Sequence, residues 1–147
     1  MGQHRSHYRV IFGDTDGMGI VYNANYLRLF EMARTEWFRE LFILPLQMIE
    51  RDLYTIVVKA FVAYHAPARY DDVLAIDAWI PASKVQRASF RFEYRVTNTD
   101  DDRLVATGYT VHALTSREGK LKRMPSEFYQ DVMRLAIDRP VLDEGHR

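Results

Sequence analysis

The sequence contains no cysteine in its 147 residues. That absence excludes disulfide bonds, a thiolate nucleophile and cysteine-based zinc sites together. No apolar run approaches the roughly 20 residues that a transmembrane helix needs, so we expect no membrane span. The segment from Met1 to Tyr8 is polar and lacks the apolar core of a secretory signal. We therefore expect a cytoplasmic protein.

An excess of either charge is also missing. Twenty basic residues balance 20 acidic ones, so no overall field attracts nucleic acid or an anionic membrane, and we expect no nucleic-acid partner. The five histidines lack ligand-like spacing, and no phosphate-binding glycine loop, dinucleotide motif or serine nucleophile elbow occurs. We expect no metal and no redox cofactor. With 48% hydrophobic and 27% charged residues, the chain is typical of one folded domain.

The most informative segment runs from Phe12 to Tyr26. It places two carboxylates, Asp14 and Asp16, on a glycine-rich turn directly before an amphipathic stretch. The first N–H groups of a helix lack partners within the helix, so they can hold a developing oxyanion. A carboxylate beside them can act as a general base or a nucleophile. The alternative is that Asp16 only forms the turn or caps the helix, because aspartate is favoured there in any protein.

The periodicity of apolar residues predicts one long helix and an antiparallel sheet, an α+β fold. We expect Met1–Ser6 to be a loose leader before a short strand from His7 to Gly13. The helix is predicted to run from Asn23 or Ala24 to Leu41, and Pro45 stops it. The remaining predicted elements are a possible short helix (46–51), four strands (54–65, 71–81, 86–97 and 104–115), a short helix from Pro125 to about Ile137, and a frayed end from Val141.

The turn motif resembles that of the hotdog-fold acyl-CoA thioesterases of the 4-hydroxybenzoyl-CoA thioesterase type. The segments 64–74 and 106–112 are similar to later strands of that family, so the resemblance covers roughly Tyr8 to Phe128. It implies a single hotdog domain over residues 1–147, in which the sheet wraps the long helix. It also implies hydrolysis of an acyl-CoA, with CoA present only as part of the substrate. A homo-oligomer, dimer or tetramer, with the site at the subunit interface is implied as well.

The resemblance assigns catalytic roles to Asp16 and Asn23. Asp16 matches the family's catalytic carboxylate, which would attack the acyl carbon or activate water. Asn23 occupies the position whose backbone N–H points at the thioester carbonyl. Many relatives carry histidine there, so this chain lacks any acid or base help from that side chain. We interpret Asp14 as a structural residue that holds the turn.

Six further residues are candidates for binding the substrate, and each has a plainer interpretation. The glycines can allow close approach of a ligand or only form the turn. The tyrosines can line an acyl pocket or only belong to the core. The arginines can bind CoA phosphates or only belong to a solvated face. These candidates are Gly17, Gly19, Tyr22, Tyr26, Arg87 and Arg123.

Two other functions stay open. A non-catalytic hotdog protein could bind acyl-CoA or acyl carrier protein, and the departure at Asn23 favours that alternative. A related dehydratase would need a histidine paired with an acid, and we expect none of the histidines to lie beside the aspartate turn. The acyl group and the choice between CoA and a carrier protein are not determined by the sequence.

Overall fold

The computed structural model describes residues 2–40 and 45–139 and contains one five-stranded antiparallel sheet. The strand order is β1-β3-β4-β5-β2, so β1 and β2 form the two edges. A 3-10 turn, Phe12–Asp14, precedes the long helix, and another lies at Ala82–Lys84. The strands are β1 (Gln3–Arg9), β2 (Tyr54–Tyr64), β3 (Val73–Trp79), β4 (Ser89–Asn98) and β5 (Leu104–Thr115), and the helices are α1 (Asn25–Arg39), α2 (Pro45–Glu50) and α3 (Ser126–Leu135).

The long helix α1 lies against one face of the sheet. Its buried residues recur three or four positions apart, which gives the helix one apolar side. Phe30 stacks on Tyr94 of β4 with ring centroids 4.2 Å apart. Gly108 of β5 allows this close approach, because a Cβ there would come within 2.6 Å of the Phe30 ring. The buried residues of α1 are Tyr26, Leu29, Phe30, Ala33, Trp37 and Phe38.

The large apolar residues of β4 alternate, as they should in a strand with one face against a helix. In β4 every second side chain faces the helix and is fully buried, and burial of each such large apolar group stabilises the fold by about 1.5–3 kcal/mol. The predicted antiparallel sheet packed on one helix is therefore confirmed. The helix-facing residues of β4 are Phe90, Phe92, Tyr94 and Val96.

The predicted loose leader is wrong. The strand begins at Gln3 rather than His7 and pairs with β3 along its whole length. The apolar pattern of the sequence does not reveal where this strand begins, because its first side chains are polar. The strand lies at a sheet edge, where side-chain hydrogen bonds hold it in addition to main-chain pairing. The Arg5 guanidinium donates two hydrogen bonds to the Asp77 carboxylate, at 2.7 and 2.9 Å. Trp37 Nε1–H donates to the Gly2 carbonyl at 2.9 Å, which fixes the chain before the strand.

The structure moves the first residue of the long helix to Asn25, because Asn23 and Ala24 form a turn instead. The predicted end of the helix at Leu41 and the predicted frayed segment from Val141 lie outside the described residues. Within residues 2–40 and 45–139, no helix has the length and apolar character needed to cross a membrane.

Candidate active site

Asp14 connects β1, the turn and the start of α1. The Tyr8 hydroxyl and the Ile11 N–H both donate to Asp14 Oδ2 at 2.8 Å. The Asp14 carbonyl accepts from the Tyr22 N–H and from the Asn25 side-chain amide, each at 2.9 Å. The residue is 8% exposed, so these partners offset the cost of burying a carboxylate. The contacts favour the structural interpretation of Asp14.

Asp16 lies on the partly exposed side of the same turn. Its Oδ1 accepts from the Met18 N–H at 2.8 Å and from the Ile20 N–H at 3.4 Å, and its backbone N–H donates to the Ile20 carbonyl at 2.8 Å. Among the described residues Oδ2 has no hydrogen-bond partner. The turn therefore holds one carboxylate oxygen and leaves the other available to a ligand.

The backbone N–H of Asn23 points away from the helix. The Tyr22 carbonyl accepts from the Asn25 N–H at 2.9 Å and is thereby turned towards the start of α1. In a planar trans peptide the N–H points opposite to the carbonyl of the same peptide group. The Asn23 N–H is consequently directed outward, and it has no acceptor in the part of the chain that the structure describes. Asn23 can therefore offer a donor to a ligand.

Asp16 and Asn23 both line one cavity of about 410 Å³. Its walls come from the turn, from the residues at the start of α1 and from the end of β2. Backbone hydrogen bonding joins the walls, since the Val21 N–H donates to the Ala68 carbonyl at 2.8 Å and Ile20 forms a bridge with Arg69. The polar residues and aromatic residues of the lining are Asp16, Asn23, Tyr26, Tyr64 and His65.

Tyr26 lines this cavity as a buried residue, not as an exposed one. It is 3% exposed and packs edge-to-face on Tyr64, with ring centroids 5.5 Å apart. Burial raises the pKa of Tyr26 to about 12, so its hydroxyl stays protonated at neutral pH. Gly17, Gly19 and Tyr22 are exposed residues beside the cavity, outside its lining.

The cavity contains two residues that the sequence did not indicate, Tyr64 and His65. The Tyr64 hydroxyl donates to the Asn23 carbonyl at 2.9 Å. His65 Nε2 lies 2.9 Å from Thr107 Oγ1. The expectation that no histidine lies beside the aspartate turn is wrong, because pairing of the turn with the segment after β2 brings His65 to the same cavity. Only their position just before Ala66-Pro67 could have suggested either residue.

Arg87 and Arg123 do not share this cavity within one copy of the chain. The Met124 N–H donates to the Arg87 carbonyl, which brings the two arginines together, and the Arg87 guanidinium lies 4.0 Å from the centre of the Tyr129 ring. Both arginines are exposed. They lie at the opposite end of β5 from the cavity, roughly 23 Å away along seven residues of strand. In the described residues no three histidine or acidic side chains form a group that could hold a metal ion.

Comparison with known proteins gives the family. The family model of the thioesterase-like superfamily matches residues 10–132. The chain is 34% identical over 125 residues to the acyl-CoA thioesterase YbgC of Haemophilus influenzae, an alignment that covers 84% of this chain and 87% of that protein.

Solved structures show the same fold. The 4-hydroxybenzoyl-CoA thioesterase of a Pseudomonas species superposes with a TM-score of 0.78 at 26% identity, covering 89% of this chain and 99% of that one. The 1,4-dihydroxy-2-naphthoyl-CoA thioesterase of Synechocystis superposes with a TM-score of 0.82 at 24% identity, covering 95% and 100%. The predicted resemblance is confirmed, and the chain belongs to the thioesterase-like superfamily and has the hotdog fold.

Proposed function

We propose that this protein is a thioester hydrolase that cleaves acyl-CoA to a free acid and CoA. The observation that carries the proposal is that Asp16, which has one carboxylate oxygen without a partner among the described residues, and Asn23, whose N–H has no acceptor among them, line the same cavity. Membership of the superfamily and the similarity to an acyl-CoA thioesterase support the same activity. The proposal includes a cytoplasmic location and no cofactor other than the CoA of the substrate.

In the proposed reaction the thioester carbonyl oxygen accepts from the Asn23 N–H. Such a donor is worth about 2.7–4 kcal/mol to a transition state in which negative charge develops on that oxygen. Asp16 acts through its free oxygen in one of two ways. It attacks the acyl carbon and forms an anhydride that water then hydrolyses, or it takes a proton from the water that attacks. In both routes the carbon–sulfur bond breaks and the CoA thiolate leaves and takes up a proton.

We further propose that the active form is a homo-oligomer built on a dimer. β2 is an edge strand, and its consecutive residues Ile56, Val57 and Val58 are 45%, 46% and 56% exposed. An apolar edge strand favours pairing with a second copy. The phosphate-binding role of Arg87 and Arg123 belongs to this assembly, since in one copy they lie at the other end of the sheet.

The test of the proposed function is hydrolysis of short, medium, long and aryl CoA thioesters, with the released thiol detected directly. Asp16→Asn keeps the size of the side chain and removes the base, so we expect a loss of about 10²–10⁴-fold with the melting temperature unchanged. Asp100→Asn is the matched control, because Asp100 is an exposed acid in the β4–β5 turn. Full activity in a folded Asp16→Asn protein would refute the catalytic role of Asp16.

The alternative is a non-catalytic protein that binds acyl-CoA or acyl carrier protein. The observation that favours it is Asn23, whose side chain cannot exchange protons where many relatives carry histidine. Tight retention of an acyl-CoA by the wild-type protein without release of thiol would favour the alternative. Thiol released only from acylated carrier protein would instead keep the hydrolase and change its substrate.

A further inference from the structure

We propose that Tyr64 is a positioning residue that holds the Asn23 backbone in place as the donor to the thioester carbonyl. The inference rests on the proposed function and extends it to a residue on the opposite wall of the cavity. Tyr64 ends β2, whereas Asn23 lies two residues before α1. The hydroxyl of Tyr64 bridges these walls by donating to the Asn23 carbonyl at 2.9 Å.

The bond acts on a residue that is held on both sides. The peptide before Asn23 is fixed by the Tyr22 carbonyl, which accepts from the Asn25 N–H. The peptide after Asn23 is fixed by the Tyr64 hydroxyl. A peptide plane can rotate between its neighbouring Cα atoms only when its carbonyl is free to leave its partner. The Asn23 N–H belongs to the first of these peptides. The Tyr64 bond acts on it indirectly, by holding the peptide that lies between the Tyr22 carbonyl and the Asn25 N–H that this carbonyl accepts.

Burial does not account for this bond. The Tyr64 side chain is about half exposed, so water could satisfy its hydroxyl at little cost. Its ring is nevertheless oriented by the edge-to-face contact with the buried Tyr26. Partial burial also raises the pKa of Tyr64, which keeps the hydroxyl protonated and able to donate. An ordered, accessible tyrosine that bonds a main-chain carbonyl is consistent with a role in aligning the site.

Tyr64→Phe keeps the ring and removes only the bond. We expect kcat to fall about tenfold because the donor is misaligned rather than lost. KM should rise by no more than about fivefold, because the carbonyl of the bound substrate uses the same donor. Tyr70→Phe is the matched control. Tyr70 is 59% exposed and packs edge-to-face on Phe12 outside the cavity, and phenylalanine preserves that contact.

Binding of two unreactive ligands separates alignment of the donor from general support of the cavity. The first is a ketone analogue of the substrate in which a methylene replaces the thioester sulfur, and the second is an S-alkyl-CoA thioether without the carbonyl. We expect Tyr64→Phe to weaken the ketone about fivefold and leave the thioether unchanged, because only the ketone uses the Asn23 donor.

Equal weakening of both ligands, or an unchanged kcat, would overturn the role of Tyr64. Kinetics and binding are compared only if the melting temperatures of both variants match that of the wild type. Loss of fold is then not mistaken for misalignment of the Asn23 donor. Absence of turnover in the wild type would refute the proposed function instead. The pair of ligands would still test Tyr64 in that case, since the measurement requires binding and no chemistry.

Discussion

The Gly19 N–H donates to the carbonyl of Asp16 at 2.9 Å, and this bond closes the turn that carries the proposed catalytic carboxylate. Gly19 has φ of +76°, in the left-handed region that residues with a Cβ avoid. Gly17, two residues earlier, does not have a positive φ, and a Cβ there would meet nothing within 4 Å. The backbone at Gly19 therefore requires glycine, whereas the backbone at Gly17 accepts a residue with a Cβ.

We expect Gly19→Ala to reduce the free energy of unfolding by about 1–2 kcal/mol, because alanine is strained at this φ. Gly17→Ala, the matched variant, should change it by less than about 0.5 kcal/mol. Chemical denaturation of both proteins measures the difference. Equal stability of the two variants would mean that the turn adjusts without cost, and the argument from φ would fail.

The buried His112 makes the free energy of unfolding depend on pH in the acidic range. Burial, followed by the nearby positive charge of Arg34, lowers the pKa of His112 from 6.5 to about 3. The folded protein therefore keeps His112 neutral between these values, while the unfolded chain binds a proton. The resulting contribution to stability is fully present above pH 6.5 and is lost as the pH falls towards 3, by at most about 1.4 kcal/mol per pH unit.

We expect His112→Gln to flatten the fall in the free energy of unfolding between pH 6 and pH 4. His7→Gln is the control, because His7 is exposed on the edge strand β1. Denaturation curves at several pH values provide the measurement. Parallel pH profiles for the wild type and His112→Gln would show that His112 contributes nothing to this acid sensitivity.

The exposed apolar residues of the edge strand β2 predict which substitution would dissociate the proposed oligomer. A lysine on an edge strand blocks pairing with a second strand, because its charge would have to be desolvated at the new interface. We expect Val58→Lys to lower the mass in solution to that of one chain, as measured by light scattering. Leu121→Lys is the control, since Leu121 is 70% exposed and bridges Thr115 of β5 instead of belonging to β2. A wild type that is already monomeric would contradict the proposed assembly.

The sequence predicted the elements whose apolar spacing is regular. β5 was expected at Leu104 to Thr115 and has those bounds, and α1 and β4 are close to their predictions. The first strand was predicted, but its start was placed at His7 instead of Gln3, because Gln3 to Ser6 carry polar side chains and gain their order from pairing with β3. The local sequence pattern cannot reveal a pairing partner that lies 64 to 76 residues further along the chain.

The residues of the candidate site also divide into those that the local sequence indicates and those that only the folded structure brings together. The turn, Asp16 and the residues before α1 are contiguous in the sequence, so one motif indicated them together. Tyr64 and His65 come from the end of a distant strand, and backbone pairing of Ile20 and Val21 with the segment after that strand brings them near the turn. The roles of Asp16, Asn23, Arg87 and Arg123 stay predictions until activity is measured.

The hydrogen bond from Val21 to Ala68 has a consequence for how new specificities could arise in this protein. The two walls of the cavity are joined through main-chain atoms, which every amino acid except proline supplies equally. Side chains between them, such as Ile20 and Ala66, can therefore be exchanged without releasing one wall from the other. The scaffold separates the shape of the cavity from the position of the proposed catalytic groups, so the first can diversify while the second is retained.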